Sequence, residues 1–231
     1  RHALAATFAL GKFHVFMAQG RYPDAAAAAR EALAAGEADE PHAARRAAAG
    51  KGFQRIYRAT IYANNEARLA TALVLQGKLA EAEWHARSAL RHQLEVGQRY
   101  TLNVTRALIA LGDVLAEQSR FTEAEAIARK AIETADASGT LIYSTWVLAA
   151  RLSRADALVA LDRWDDARAE YERRAEAIRA DPAEAGKAEV EAPGWALALQ
   201  GLGRVAESRT MLQTMVRRYA ERFGPEHHQV A

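Results

Sequence analysis

The 231-residue chain has no cysteine, which removes disulfides, thiolate metal sites and a cysteine nucleophile and leaves both reducing and oxidising compartments open. Aromatic residues are only 7% of the chain although 50% of it is hydrophobic, so alanine must supply much of the packing. No apolar run reaches the roughly 20 residues needed to cross a bilayer. Nor is there a surplus of one charge: 31 Lys and Arg stand against 29 Asp and Glu, a formal +2, without a block of like sign. Phosphate recognition needs a concentrated basic face, so neither nucleic acid nor a membrane is an expected partner. The chain opens on Arg1 and closes on RFGPEHHQVA. We expect a fragment of a longer protein, cytoplasmic by preference and compatible with export if a signal peptide has been removed.

Catalytic signatures are scarce as well. AAAGKGF around Lys51 has a glycine-lysine pair but neither the upstream glycine nor the following Ser or Thr of a phosphate loop, and it reads as a turn. His85 and His92 lie seven apart on one helix face, wider than the spacing of a helical ligand pair, and read as two exposed histidines. His227 and His228 are neighbours at the end of the chain and read as a repeat junction. No catalytic residue, metal or cofactor is expected.

What is present is repetition. GRYPDAAAAAREAL, GKLAEAEWHARSAL, SRFTEAEAIARKAI, DRWDDARAEYERRA and GRVAESRTMLQTMV begin at Gly20, Gly77, Ser119, Asp162 and Gly203. Each first residue tolerates a tight turn or a helix cap. A base follows every time (Arg21, Lys78, Arg120, Arg163, Arg204), placed to meet the negative end of a helix dipole. The third column is large and apolar (Tyr22, Leu79, Phe121, Trp164, Val205), and two residues later comes an acid suited to the start of a second helix (Asp24, Glu81, Glu123, Asp166, Glu207). Next is a small column, Ala25, Ala82, Ala124, Ala167 and Ser208, which lets two helices approach closely. The phrase is a helix end, a turn and a helix start.

Positions 25, 82, 124, 167 and 208 are separated by 57, 42, 43 and 41 residues. Such intervals mark stacked repeats, each unable to bury its apolar face alone. The long interval implies a unit of about 42 residues carrying an insertion of about fifteen, which falls near residues 36 to 52. Helices are predicted near 3 to 19, 54 to 76, 99 to 118, 141 to 161 and 188 to 202, each with a partner near 23 to 35, 79 to 95, 121 to 136, 164 to 180 and 205 to 222. Gly36, Gly97, Gly139, Pro182 and Gly224 supply the breaks.

EARLATALVLQGKLAEAE and TRALIALGDVLAEQSRFTEAE resemble the tetratricopeptide pattern, with Leu108, Leu111, Gly112, Leu115, Phe121, Ala124, Ala128 and Ala131 at its positions. The spacing near 42 and the closing GPEHHQVA are similar to the longer, kinesin-light-chain variety of the repeat, whose phrase has a proline where His228 stands. The resemblance departs in the fourth unit, where Arg154 and Arg174 occupy apolar or small positions, and in the first and fifth, with Phe13 at the small position and Pro193 near a helix start.

The resemblance implies an all-α fold: one right-handed superhelical α-solenoid over residues 1 to 231, with repeats near 3 to 35, 54 to 95, 99 to 136, 141 to 180 and 188 to 222. It also implies a concave groove walled by first helices. Carried across residue by residue, the groove positions are Asn64, Thr71, Arg106, Ile109, Asp113, Glu117, Leu152 and Asp156. Family members that clamp a peptide carboxy terminus use Lys, Arg and Asn there. Only Asn64 and Arg106 are similar to that set, which argues against such a clamp. Phe53, Tyr57 and Tyr62, and likewise Tyr143 and Trp146, offer aromatic surface for a partner or, with Phe53 and Tyr57 on one helix face, core contacts.

The expected function is a non-enzymatic scaffold that holds a peptide or helix of a protein partner in the groove. The alternatives are the regulatory arm of a larger bacterial enzyme or signalling protein, such as a caspase-like protease or a transcription regulator, and self-association through unmatched repeat ends.

Overall fold

The structure, a computed structural model, describes residues 2–38, 51–95, 97, 99–183 and 188–224. Among these are ten α-helices and no strand: α1 His2–Ala18, α2 Tyr22–Ala38, α3 Lys51–Val74, α4 Leu79–Glu95, α5 Leu102–Glu117, α6 Phe121–Ala137, α7 Thr145–Ala160, α8 Trp164–Ala180, α9 Pro193–Gly201 and α10 Val205–Phe223. Most of the predicted insertion, the side chains of Phe53 and Tyr57, and His227 and His228 lie outside the described residues. The chain divides into two compact units, residues 1 to 140 and 141 to 231.

Every copy of the repeated phrase makes the same turn. Its first residue is left-handed in all five, with φ of 70° at Gly20, 71° at Gly77, 60° at Ser119, 57° at Asp162 and 74° at Gly203. The following N–H, on Arg21, Lys78, Arg120, Arg163 or Arg204, donates to the carbonyl five residues back at 2.8 to 3.0 Å. That bond closes the preceding helix as a left-handed C-terminal cap does. The carbonyl of the same basic residue accepts the N–H of the small column at 2.9 to 3.1 Å and so opens the next helix. One residue thus ends one helix and starts another.

The basic side chain itself points forward. Arg21, Arg120, Arg163 and Arg204 reach the acid three residues on at 2.6 to 2.8 Å, while in the second copy Glu81 pairs instead with Arg30 of α2 at 2.5 Å. An ion pair in place of the expected dipole contact follows from geometry, because a residue at the cap faces the first turn of the new helix. Exposed pairs of this kind contribute only about 0 to 1 kcal/mol. The small column carries the packing: Ala25, Ala82, Ala167 and Ser208 are 0% exposed and Ala124 is 2%.

In unit one, α1 packs on α2, α3 on α4 and α5 on α6, while α2 meets α3 and α4 meets α5. First helices also meet each other, α3 against α5. Ala63, Ala89 and Ala107 join α3, α4 and α5 in one buried cluster. In unit two, α7 packs on α8 and α9 on α10, and α9 contacts both α7 and α8. Its core gathers Ala155, Leu158, Ala167, Tyr171, Ala192 and Ala198.

Several helix boundaries differ from the sequence expectation, with α5 starting at Leu102 and α7 at Thr145, and three others have a visible local setting. Helix α2 runs past Gly36 to Ala38; Gly36 lies beside the Tyr62 ring with room for ordinary contact, so nothing there forces a turn. Helix α3 begins at Lys51, inside the stretch read as insertion. Helix α9 starts only at Pro193, whose ring suits the first helical position. The residues before it pack instead, with Ala188 and Val190 against Leu148, Ala177 and Ile178.

The atypical fourth repeat replaces apolar packing with a polar network. Glu170, 2% exposed, accepts from Arg151 at 2.9 Å, Arg154 at 2.8 Å and Arg173 at 2.7 Å. Arg174 donates to the Glu189 carbonyl at 2.5 Å. A buried carboxylate is retained only with such partners.

Candidate functional site

Helices α3 and α5 lie side by side as first helices of successive repeats, and the expected wall residues of unit one stand along them. Asn64 is half-buried on α3, and Thr71 is exposed about two helical turns later, its hydroxyl donating to the Ala67 carbonyl at 3.1 Å. On α5, Thr101 caps the helix by accepting from the Val104 N–H at 3.4 Å. Beyond that cap Arg106 is half-buried, while Asp113 and Glu117 are exposed. Ile109 is 7% exposed and so offers little surface to a partner.

The sequence reading missed Arg68. It lies on α3 between Asn64 and Thr71, half-buried, and donates to Asn65 Oδ1 at 3.1 Å. Burial, and then the like charge of Arg106, lower its pKa to about 10. Burial also holds Arg106 below the ordinary arginine value. Two half-buried guanidiniums thus stand on adjacent first helices, near enough for the charge of Arg106 to act on Arg68. The spacing that reveals it is visible in the sequence only once α3 and α5 are set against each other.

In unit two, Leu152 is half-buried and packs on the Ala155, Leu158 and Tyr171 cluster. Asp156 is exposed as a residue, yet its Oδ1 is closed in by Tyr171 and Gly194. The Tyr171 hydroxyl donates to it, and a Cβ on Gly194 would lie 2.1 Å from that hydroxyl and 2.4 Å from Oδ1. Burial raises the Asp156 pKa, while the Tyr171 hydrogen bond and Arg174 pull it the other way. The Tyr171 ring stacks on Trp195 at 5.9 Å and 8°. Asp156 thus serves as a hydrogen-bond partner in the packing of α7, α8 and α9.

The two central histidines are not simply exposed. His85 Nδ1 bonds Glu66 of α3, whose other oxygen accepts from Ser88 at 3.2 Å. His92 meets the edge of the Tyr62 ring at 5.7 Å. Their shared face of α4 is turned toward α3, as a seven-residue spacing allows. Among the described residues no three His, Asp or Glu side chains gather as metal ligands would, and no helix is long and apolar enough to cross a membrane.

Two family models match the sequence, both described as tetratricopeptide repeat, over residues 67 to 139 and 196 to 229. No curated protein matches at a significant level. Among solved structures, BtubC (BKLC) from P. vanneervenii is similar in fold, with a TM-score of 0.59 at 13% identity, over 99% of this chain and 94% of that one. The five left-handed turns, the small column, the two matched segments and the similar structure agree: residues 67 to 139 and 196 to 229 match the tetratricopeptide repeat, within an all-α helical-repeat solenoid.

Proposed function

We propose that the chain is a protein-interaction scaffold and that α3 and α5 hold an acidic segment of a partner, as a peptide or a helix. Tetratricopeptide repeats generally act as protein-interaction scaffolds and are typically non-enzymatic. The observation that carries the finer reading is that half-buried Arg68 and Arg106 stand on the two adjacent first helices, α3 and α5, with the charge of Arg106 acting on Arg68. Each guanidinium loses hydration by burial, and Arg106 adds a repulsive charge to Arg68. A partner carboxylate over the pair supplies charge-assisted hydrogen bonds. Asn64 and Thr71 lie on α3 and Asp113 and Glu117 on α5 of the same pair of helices.

Fluorescence anisotropy with a labelled glutamate-rich peptide and its glutamine counterpart tests this reading. The acidic peptide is expected to bind, and more weakly as salt is added, because the contact is partly exposed. Equal binding of the two peptides counts against it.

A further inference from the structure

Between neighbouring second helices of unit one, a base of one repeat meets an acid of the next. Arg30 of α2 pairs with Glu81 of α4 at 2.5 Å, and the charge of Arg87 on α4 acts on Glu123 of α6. Both bases stand ten residues after their turn residue, and both acids four residues after theirs. In unit two the same places hold Glu172 on α8 and Glu207 on α10. An acid thus takes the place of the guanidinium.

The two glutamates border one hollow of about 460 Å³, lined entirely by residues of unit two. That volume lies in the usual range of small-ligand pockets, roughly 300 to 1,000 Å³. Glu191, from the segment before α9, lines it as well, and the charge of Glu172 reaches Arg204 beside Glu207. Trp195, held by its stack on Tyr171, supplies apolar lining together with Leu199 and Met211. The second and third repeats carry the buried Leu69 and Leu111 where Trp195 stands. Aromatic and acid are both particular to this hollow.

We propose that the hollow takes the side chain of an arginine from a partner peptide, its guanidinium among Glu172, Glu191 and Glu207 and its stem on Trp195 and Met211. The partner's guanidinium then fills the place that Arg30 and Arg87 fill from within the chain. Its planar fork bridges carboxylates as the point charge of a lysine does not, and its aliphatic stem covers the apolar lining. Each acid already holds one arginine of this chain: Glu172 pairs with Arg168 at 2.8 Å, Glu191 with Arg218 and Glu207 with Arg204 at 2.6 Å. Exposed pairs are weak, and one carboxylate accepts several guanidiniums, as Glu170 accepts three. Free arginine fits less well. Its own carboxylate meets three others, and the Thr210 and Thr214 hydroxyls in the lining donate to carbonyls of their own helix at 3.0 and 2.9 Å. The acidic-segment reading of α3 and α5 concerns unit one and a ligand of opposite charge, so either reading can fail alone.

The indole N–H signal of Trp195, one of four tryptophans, reports occupancy in two-dimensional NMR of the intact chain once Trp195→Phe has assigned it. The probes are a blocked glycine-serine peptide with one central arginine, its citrulline counterpart, which keeps the shape without the charge, and free arginine. The arginine peptide is expected to shift the signal saturably, and the other two to bind about tenfold more weakly or less. Glu172→Gln combined with Glu207→Gln should weaken the arginine peptide to the citrulline level. Both side chains are half-exposed, so this variant should melt close to the wild type. Arg68→Gln with Arg106→Gln should leave the shift unchanged. The comparison of arginine with citrulline on the wild type needs no variant to fold. No shift with the arginine peptide, an equal response to citrulline, or an undiminished shift in the folded glutamine variant at 172 and 207 overturns the proposal. Free arginine binding as tightly as the peptide overturns the peptide as the occupant.

Discussion

Gly201, the last residue of α9, lies against the indole of Trp164 so closely that a Cβ placed on it would fall 2.3 Å from Cδ2 and 2.6 Å from Cε2. The ring is held at its base and has no flexible end to swing aside. Gly201→Ala should therefore overpack the joint between α8 and α9 and lower stability by about 1 to 3 kcal/mol. Thermal melting measures the loss. Trp164→Leu in the same background should recover part of it.

Gly77 is needed for a different reason. Nothing lies within 4 Å of a Cβ built there, but its φ is 71°. Gly77→Ala should cost about 1 kcal/mol through the backbone alone. Ser119 and Asp162 adopt the same conformation without being glycine. Relief of left-handed strain against the greater unfolded freedom of glycine leaves Ser119→Gly between neutral and about 1 kcal/mol stabilising. Chemical denaturation of both variants decides whether the column is set by backbone conformation.

These turns were legible in the sequence because each is a local decision, made by five or six residues and repeated five times. The small column was legible for the same reason. What was not legible depends on two helices at once. Arg68 reads as one more basic residue on α3 until α5 brings Arg106 beside it. Ile109 and Leu152 were carried across as groove positions, yet Ile109 is buried and Leu152 packs on the core. The start of α9 at Pro193 was hidden because extended residues can be packed as firmly as helical ones, as Val190 is.

Gly112 of α5 lies against α6: a Cβ on it would stand 3.6 Å from Ile127 Cγ2 and 3.8 Å from the Ala124 carbonyl oxygen, and Ala124 is 2% exposed. Ala124→Leu should push the helices apart and cost typically about 1 to 3 kcal/mol. An unchanged melting curve would mean that the small column is not a packing seam.

Glu83 ties α4 to α5. It accepts from Gln118 at 3.0 Å, Arg87 at 2.9 Å and Arg120 at 2.9 Å, and the Gln118 bond, with the arginines, lowers its pKa from 4.5 to about 2. A depressed carboxylate stabilises the fold fully above its unfolded pKa and loses that contribution as pH falls toward its folded pKa. The melting temperature of Glu83→Gln should thus lie below the wild type near neutrality, and the gap should close between pH 4.5 and about 2. A gap that stays constant across that window would mean the carboxylate charge contributes nothing.

Arg68→Gln combined with Arg106→Gln bears most directly on the claim that α3 and α5 hold an acidic segment. A glutamine at 68 can still donate to Asn65 Oδ1 in place of Arg68, so the double variant should keep its helical circular dichroism and fold. The account predicts that anisotropy of the glutamate-rich peptide on this folded variant falls to the level of the glutamine peptide. Undiminished binding of the acidic peptide to the folded double variant would contradict it.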